Sequence, residues 1–239
     1  MFRLSRKKKN KLESSKVARK LVTISETKSF ILEQFRTIRT NITFSMPDQE
    51  LKTILVTSST PGEGKSTNAA NLGVVFAQEG KRVLIIDADM RKPTLHQTFK
   101  TFNKVGLSNV IAKKAAFYEA IQETFIVGLY VITSGPIPPN PSELLSSKAM
   151  DALLLDVKKD FDIIIIDSPP LLSVSDSQIL ANKCDGTILV VNAGVVEKSA
   201  VQKATAILST SQSKILGVVL NNYVTPGHQK YYEEYNFVE

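Results

Sequence analysis

The chain has 239 residues, of which 43% are hydrophobic and 22% are charged, so it has the material for a sizeable core. This composition excludes a disordered or collagen-like protein. The formal charge is +7, but it is unevenly distributed. Residues 1–20 hold nine Lys and Arg and one Glu, a charge of +8, which leaves 21 basic and 22 acidic residues, a charge of −1, for the other 219.

The positive charge therefore belongs to an N-terminal arm, residues 1–20, which we expect to be flexible and separate from a nearly neutral body. Beside anionic lipid, a basic cluster of this kind gains about 1 kcal/mol per residue near the surface. A plain solvated tail is the other interpretation. No aromatic residues are interleaved with the basic ones for base stacking, so we expect no specific nucleic-acid partner.

The single cysteine, Cys184, has no partner for an internal disulfide, and no cluster with metal-ligand spacing surrounds His96 or His228. This favours a reducing compartment. No apolar run reaches the roughly 18 residues of a membrane span, and polar residues follow the basic start where a signal peptide would be apolar. We therefore expect a cytoplasmic protein.

Short apolar runs alternate with helical patterns from Thr53 onward, which predicts an α/β fold with a mostly parallel central sheet and helices on both faces. A helix is predicted before the sheet, over 28–41. The predicted strands are 53–57, 82–86, 129–133, 162–166, 187–192 and 215–220. The helices predicted between and after them are 65–78, 116–124, 142–159, 177–183 and 198–211. We expect one domain over 21–225 and a flexible tail over 226–239.

A phosphate-binding loop is the strongest functional signal. An apolar strand leads into it, and Lys65-Ser66 opens the helix that follows. Such a loop wraps phosphates with backbone N–H groups, sends the lysine to the β/γ-phosphates and places the hydroxyl on Mg²⁺. Ser59 replaces the usual first glycine of G-x-x-x-x-G-K-[ST]. The residues predicted to bind the nucleotide are Ser59, Thr60, Pro61, Gly62, Glu63, Gly64, Lys65, Ser66 and Thr67.

Two predicted strands end in carboxylates, one at Asp87 and Asp89 and the other at Asp167. Open α/β sheets bind ligands at the carboxyl ends of their strands. A magnesium–nucleotide site needs one carboxylate for the metal or its water and another to orient or deprotonate a nucleophile. The alternative is that each aspartate only caps the loop that follows it.

Three further motifs accompany the loop: LIIDADMRKP at 84–93, TSGPIPPNPSELL at 133–145 and DSPP at 167–170. Together they resemble the bacterial protein-tyrosine kinases, in the two-polypeptide Gram-positive form that is CapB-like, over about 28–221. The resemblance implies a P-loop NTPase fold, the cofactors ATP and Mg²⁺, and autophosphorylation of C-terminal tyrosines. It further implies other protein substrates, a transmembrane adaptor that activates the enzyme at the inner face of the cell membrane, a cognate phosphotyrosine phosphatase, and control of exopolysaccharide or capsule synthesis.

The resemblance also implies roles for single residues. Lys65, Asp87 and Asp89 are expected to be catalytic, and Ser66, Asp87 and Asp167 to hold the metal directly or through water. Whether Asp87 is the base that accepts the tyrosine proton or a group that supports the metal stays open at this point. Asn221, at the end of the last strand, is a candidate adenine contact.

Two more segments fit the same family. The tail carries three tyrosines beside acids, Tyr231, Tyr232 and Tyr235, which are predicted phosphoacceptors. The early helix carries Glu33, Arg36 and Arg39, which match an E-x-x-R-x-x-R motif that implies contacts between subunits of a ring. Pairing within the helix is the alternative, and such pairs contribute only about 0.2–0.5 kcal/mol.

A second class on the same scaffold is the MinD/ParA-type ATPase switch without kinase activity. Its loop has the form K-G-G-x-G-K-[ST], in which the first lysine crosses a dimer interface. Thr60 stands at that position here, and the tyrosine tail is a further difference. The kinase is therefore the favoured interpretation.

Overall fold

The computed structural model describes residues 21–25, 30–47 and 50–223. The arm at 1–20 and the tail with its three tyrosines lie outside the described residues, so the predicted domain boundaries stay predictions. Within the described part, no helix is long and apolar enough to span a membrane.

Seven strands form one sheet in the order β3-β4-β2-β5-β1-β6-β7. Their bounds are β1 Thr53–Ser58, β2 Val83–Asp87, β3 Ile121–Glu123, β4 Leu129–Ile132, β5 Ile163–Asp167, β6 Gly186–Asn192 and β7 Lys214–Asn221. All neighbours pair in parallel except β3 with β4. The six predicted strands are confirmed to within about two residues, because continuous apolar runs such as those of β1, β2 and β5 are buried on both faces.

Ten described helices surround the sheet. They are α1 Val22–Ser25, α2 Phe30–Phe44, α3 Lys65–Gln78, α4 Leu95–Phe99, α5 Leu107–Ile111, α6 Phe117–Ala120, α7 Pro141–Ser146, α8 Lys148–Asp160, α9 Asp176–Ala181 and α10 Lys198–Ser209. The predicted helix over 65–78 is confirmed at both ends. The short helices α4 and α5 were not predicted, since five residues give too little periodicity to recognise.

Two predicted helices are wrong in part. The segment 116–124 forms α6 and then the antiparallel edge strand β3, because pairing with β4 prevails over its weak helical pattern. The segment 142–159 is broken at Ser147, whose backbone is extended (φ −70°, ψ 155°) and whose side chain caps α8 by accepting from the Met150 amide. Ser147 is thus the N-cap of a second helix and not an interior residue.

The helices cover both faces of the sheet, as predicted. One hydrophobic cluster lies between the sheet and α2, α3 and α4, and includes Phe35, Phe76 and Phe99. The other lies between the opposite face and α5, α7, α8, α9 and α10, and includes Leu145 and Leu208. The fold is the predicted P-loop NTPase type.

Parallel pairing brings several loops to one edge of the sheet. The strands β2, β5 and β1 lie side by side, and the carboxyl end of each opens into a segment with a predicted site residue. Asp87, the last residue of β2, stands directly opposite Asp167, the last residue of β5. The loop after β1 lies between β5 and β6 at the same edge.

Candidate functional site

The phosphate loop connects the end of β1, Ser58, with the start of α3, Lys65. Gly62 and Gly64 have φ values of +87° and +93°, which disfavour residues with a Cβ. Gly64 is confined as well, because a Cβ there would lie 2.2 Å from Nδ2 of Asn221. The two glycines therefore let the loop turn tightly and keep its backbone close to its neighbours.

Glu63 fastens this loop to the sheet. Its side chain is buried, and its Oε1 accepts hydrogen bonds from the Thr60 amide and, at 3.0 Å, from the Thr60 hydroxyl. Its Oε2 accepts from the amide of Asn192 at the end of β6, at 3.2 Å. The Glu63 carboxylate therefore connects the phosphate loop to the end of β6. No local sequence pattern indicates this role.

Asn221 supports the same loop from β7. Its Nδ2 donates to the carbonyl oxygen of Glu63 at 2.9 Å. This contact fixes one end of the Asn221 amide on the protein backbone. A contact of Asn221 with adenine stays a prediction.

The predicted charged residues meet at the end of β2 and β5. The ammonium Nζ of Lys65 lies 2.8 Å from Oδ2 of Asp89, 3.7 Å from Oδ1 of Asp167 and 3.3 Å from Oγ of Ser66. Asp87 and Asp167 are fully buried and Asp89 is 5% exposed. Burial is the largest single influence on the Lys65 pKa and lowers it, but the nearby carboxylates of Asp167, Asp89 and Asp87 together raise that pKa above its ordinary value.

Asp87 is held from one side only. Its Oδ2 accepts from the backbone amides of Thr94 and Leu95, both at 3.0 Å, whereas its Oδ1 has no hydrogen-bond partner among the described residues. Burial, followed by the neighbouring Asp167, raises the pKa of Asp87 to about 7. These two hydrogen bonds were not predicted from the sequence. Both amides lie at the start of α4, a helix too short to be recognised from the sequence.

These residues fit a hydrated magnesium ion better than a metal held by the protein alone. In the described part of the chain, no group of three or more His, Cys, Asp or Glu side chains is arranged to hold a metal. However, three buried carboxylates lie near one ammonium, and Oδ1 of Asp87 has no hydrogen-bond partner in the part of the chain that the structure describes. Mg²⁺ is commonly bound by one or two carboxylates together with waters and substrate phosphates.

The motif on α2 is divided between two environments. Arg36 pairs with Glu33 one turn earlier on the exposed face, which is the pairing within the helix that we considered as the alternative. Arg39 instead donates to the carbonyl oxygen of Val75 at 3.0 Å and lies 3.6 Å from Glu79. Arg39 therefore attaches α2 to α3, and contacts of the motif between subunits stay a prediction.

Comparisons with known proteins give the family. The family model described as AAA domain matches residues 51–215. The tyrosine-protein kinase YwqD of Bacillus subtilis is 49% identical over 221 residues, which cover 92% of this chain and 93% of that protein. The tyrosine-protein kinase CpsD of Streptococcus agalactiae is 43% identical over 190 residues, 79% of this chain and 81% of that one. The crystal structure of the chimerical protein CapA2B2 superposes with a TM-score of 0.83 at 42% identity, covering 86% of this chain and 90% of that one.

The chain belongs to the bacterial tyrosine-protein kinases. The predicted family, enzyme class and nucleotide-binding fold are thereby confirmed. In this kinase, Thr60 occupies the position of the crossing lysine of the MinD/ParA switches, and its hydroxyl bonds to Glu63 in its own loop. The absence of this lysine counts against the switch interpretation, as expected from the sequence.

We predict that Asp87 makes the nucleotide-free kinase less stable as the pH rises. The pKa of Asp87 is raised from 3.8 to about 7, so the folded chain binds this proton more tightly than the unfolded chain does. The stabilisation is complete below about pH 3.8 and is lost as the pH rises through about 7. Asp87→Asn should therefore gain unfolding free energy relative to wild type between pH 4 and pH 8, by at most about 4 kcal/mol.

Urea unfolding at several pH values measures this difference. Asp160→Asn, on the exposed end of α8, is the matched control and should follow wild type. Parallel stability curves for wild type and Asp87→Asn would show that Asp87 is not held as described.

We predict that Gly64→Ala weakens nucleotide binding at least tenfold and more than Gly62→Ala does. Both variants place alanine at a positive φ, which costs on the order of 1 kcal/mol. Only the new Cβ at position 64 meets Asn221, whereas nothing lies within 4 Å of one at position 62. Titration with a fluorescent ATP analogue in Mg²⁺ measures both losses, and equal losses would contradict the close approach of Asn221.

Proposed function

We propose that the chain is an ATP-dependent tyrosine autokinase that phosphorylates its own C-terminal tyrosines and other proteins. The observation that carries the proposal is the cluster of Lys65, Asp87, Asp89 and Asp167 beside a phosphate loop. It combines one cation with carboxylates held at one edge of the sheet. Phosphoryl transfer requires mainly positioning and charge stabilisation from the protein, which such a cluster provides.

The nucleotide site follows from the loop. Backbone N–H groups of residues 59–67, except Pro61, would surround the phosphates, and Ser66 with Asp167 would hold Mg²⁺ directly or through water. Mg·ATP supplies the phosphoryl group and neutralises part of the phosphate charge when it is bound. Lys65 has to turn from Asp89 toward the β/γ-phosphates, and this movement exchanges one anionic partner for another.

The acceptor site follows from Asp87. Its Oδ2 is fixed by two amides, so the orientation of the carboxylate is set, and Oδ1 is left to receive the tyrosine proton. Without metal, burial and Asp167 raise the pKa of Asp87 to about 7, and a magnesium ion bound with ATP would lower that pKa and so favour the ionised form that a general base requires. Asp89 supports this group, and it is freed from its ion pair when Lys65 moves.

The tail is delivered from a neighbouring subunit in this proposal. Tyr223, the last described residue, lies just after the edge strand β7, and β6, β1 and β5 separate β7 from β2. Four strand spacings of about 4.8 Å amount to roughly 19 Å. An extended chain of eight residues spans about 27 Å, so Tyr231 can cover that distance. However, its path crosses the loop after β1, where the nucleotide lies, and a neighbour's tail avoids this obstacle.

The proposed partners complete the function. A transmembrane adaptor activates the kinase at the inner face of the membrane, a cognate phosphatase removes the phosphate, and the cycle regulates exopolysaccharide or capsule synthesis. The family resemblance of the motifs supports these partners. The basic arm at 1–20 adds attraction to anionic lipid in the same place.

We predict phosphorylation between subunits. An acceptor chain with Lys65→Met and an intact tail should become labelled when it is mixed with an active donor in which Tyr231, Tyr232 and Tyr235 are changed to Phe. The measurement is phosphotyrosine detection after incubation with Mg·ATP and the cytoplasmic segment of the adaptor. Each chain alone is the control and should stay unlabelled.

Two results would contradict parts of this proposal. If wild type forms phosphotyrosine but the acceptor chain in the mixture stays unlabelled, transfer between subunits is overturned. Hydrolysis of ATP by wild type without any phosphotyrosine, even with the adaptor segment, would favour the ATPase switch.

We further propose that Glu33 and Arg36 form contacts between subunits of a ring. Both side chains lie on the exposed face of α2, whereas Arg39 is used inside the subunit. Exchanging the charges with Glu33→Arg and Arg36→Glu keeps an ion pair within the helix but reverses the charges offered to a neighbour. We predict that the exchanged variant remains folded and loses its oligomeric mass in light scattering with the adaptor segment present. An oligomer that survives the exchange would leave only the pairing within the helix.

A further inference from the structure

A second ion pair lies beside the site, and the proposed function does not use it. Arg91 donates from Nε to Oδ2 of Asp176 at 3.0 Å and from Nη2 to Oδ1 of the same residue at 3.1 Å. The Ser142 hydroxyl donates to Oδ1 of Asp176 at 2.7 Å and accepts from Nη2 of Arg91 at 3.2 Å. The three residues come from the loop after β2, from α7 and from α9. The ion pair therefore joins segments that are far apart in the sequence.

The buried partner fixes the exposed one. Asp176 has no exposed surface, whereas the side chain of Arg91 is 40% exposed. Both oxygens of Asp176 are used, and a buried carboxylate that lost its cation would be strongly destabilised. The planar guanidinium matches the carboxylate through two parallel hydrogen bonds, which sets an orientation as well as a distance. The loop after β2 is thus attached to a rigid point at the start of α9.

Arg91 lies in the middle of the contacts that hold the catalytic carboxylates. The amide of Lys92, the next residue, donates to Oδ1 of Asp89 at 3.0 Å. The amides that hold Asp87, those of Thr94 and Leu95, follow in the same segment. A displacement of Arg91 therefore moves donors to both carboxylates.

Asp176, the other member of the ion pair, is connected to the segment of Asp167 through its neighbour Ser177. Ser177, the residue after Asp176, donates through its hydroxyl to Oγ of Ser168 at 2.9 Å. Ser168 follows Asp167 directly and donates its amide to the carbonyl oxygen of Val56 in β1. The start of α9 is accordingly bound to the segment that carries the third carboxylate.

We propose that Arg91 and Asp176 are positioning residues that fix Asp87 and Asp89 relative to Asp167 for phosphoryl transfer. This inference rests on the proposed kinase function and adds to it. Because the pair lies outside the phosphate loop and its nearest contacts lead to the carboxylates, we expect it to affect the geometry of the carboxylates far more than nucleotide affinity. Loss of the bidentate contact should therefore lower kcat with little change in the KM for ATP.

The test uses the full chain with Arg91→Lys, Asp176→Asn and the double variant. Lysine keeps the positive charge but cannot form the two parallel hydrogen bonds of the guanidinium. Because the Arg91 side chain is partly exposed and the charge is retained, we expect this variant to remain folded. Lys92→Arg is the matched control, since it makes the reverse exchange at the neighbouring exposed residue. The measurements are kcat and KM for tyrosine phosphorylation, the Kd of a fluorescent ATP analogue, the Tm, and hydrogen exchange over residues 88–95 without nucleotide.

We expect Arg91→Lys to lower kcat at least about tenfold, while KM and Kd stay within twofold. Exchange at the amides of Lys92, Thr94 and Leu95 should become faster, and it should be unchanged in Lys92→Arg. The double variant should be no slower than the slower single variant, because residues that act as one unit are not additive.

Three results would overturn the inference while leaving the kinase function intact: an unchanged kcat in Arg91→Lys, a loss confined to KM, or fully additive losses in the double variant. A wild-type chain that forms no phosphotyrosine would instead overturn the proposed function. In that case hydrogen exchange decides the positioning role by itself, since equal protection of 88–95 in wild type and Arg91→Lys would overturn it.

Discussion

Asp87 and Asp167 are buried next to each other because β2 and β5 pair in parallel and end in register. Burial removes water from both carboxylates, and each negative charge repels the other. Ionisation of Asp87 is therefore disfavoured, and its pKa rises to about 7. The Lys65 ammonium reduces this repulsion by approaching Asp89 and Asp167. Much of the surrounding structure serves to hold these charges in place, because they repel one another.

Rigid support reaches the site from both sides. On one side, Glu63 and Asn221 connect the phosphate loop to the ends of β6 and β7. On the other side, the amides of Thr94 and Leu95 orient Asp87. Because each support uses backbone groups or buried side chains, the protein's own contacts set the geometry of the site. Such preorganisation reduces the reorganisation that a reaction would otherwise require.

The sequence predicts the parts of the site that local pattern determines. An apolar run followed by Asp87 or Asp167 predicts a buried parallel strand, and the loop before Lys65 predicts the start of α3 at the right residue. The contacts that hold these groups depend on residues distant in the chain. Glu63 meets Asn192 only because β1 and β6 are neighbours in the sheet, and no pattern around Glu63 carries that information. For the same reason the strand β3 was predicted as helix, since its pairing with β4 is a tertiary effect.

In the proposed function, the position of Lys65 would link nucleotide binding to metal binding. If its ammonium left Asp89 and Asp167 for the phosphates, these two buried carboxylates would lose the cation they now contact, which is costly unless another cation replaces it. In the proposed function, a magnesium ion that enters with the nucleotide would supply this cation, and it would also favour the ionised form of Asp87. The nucleotide alone should therefore bind weakly, since it would bring further negative charge to the same edge of the sheet. If the proposed magnesium site is correct, the burial that makes the carboxylates costly to ionise also makes metal binding and nucleotide binding depend on each other.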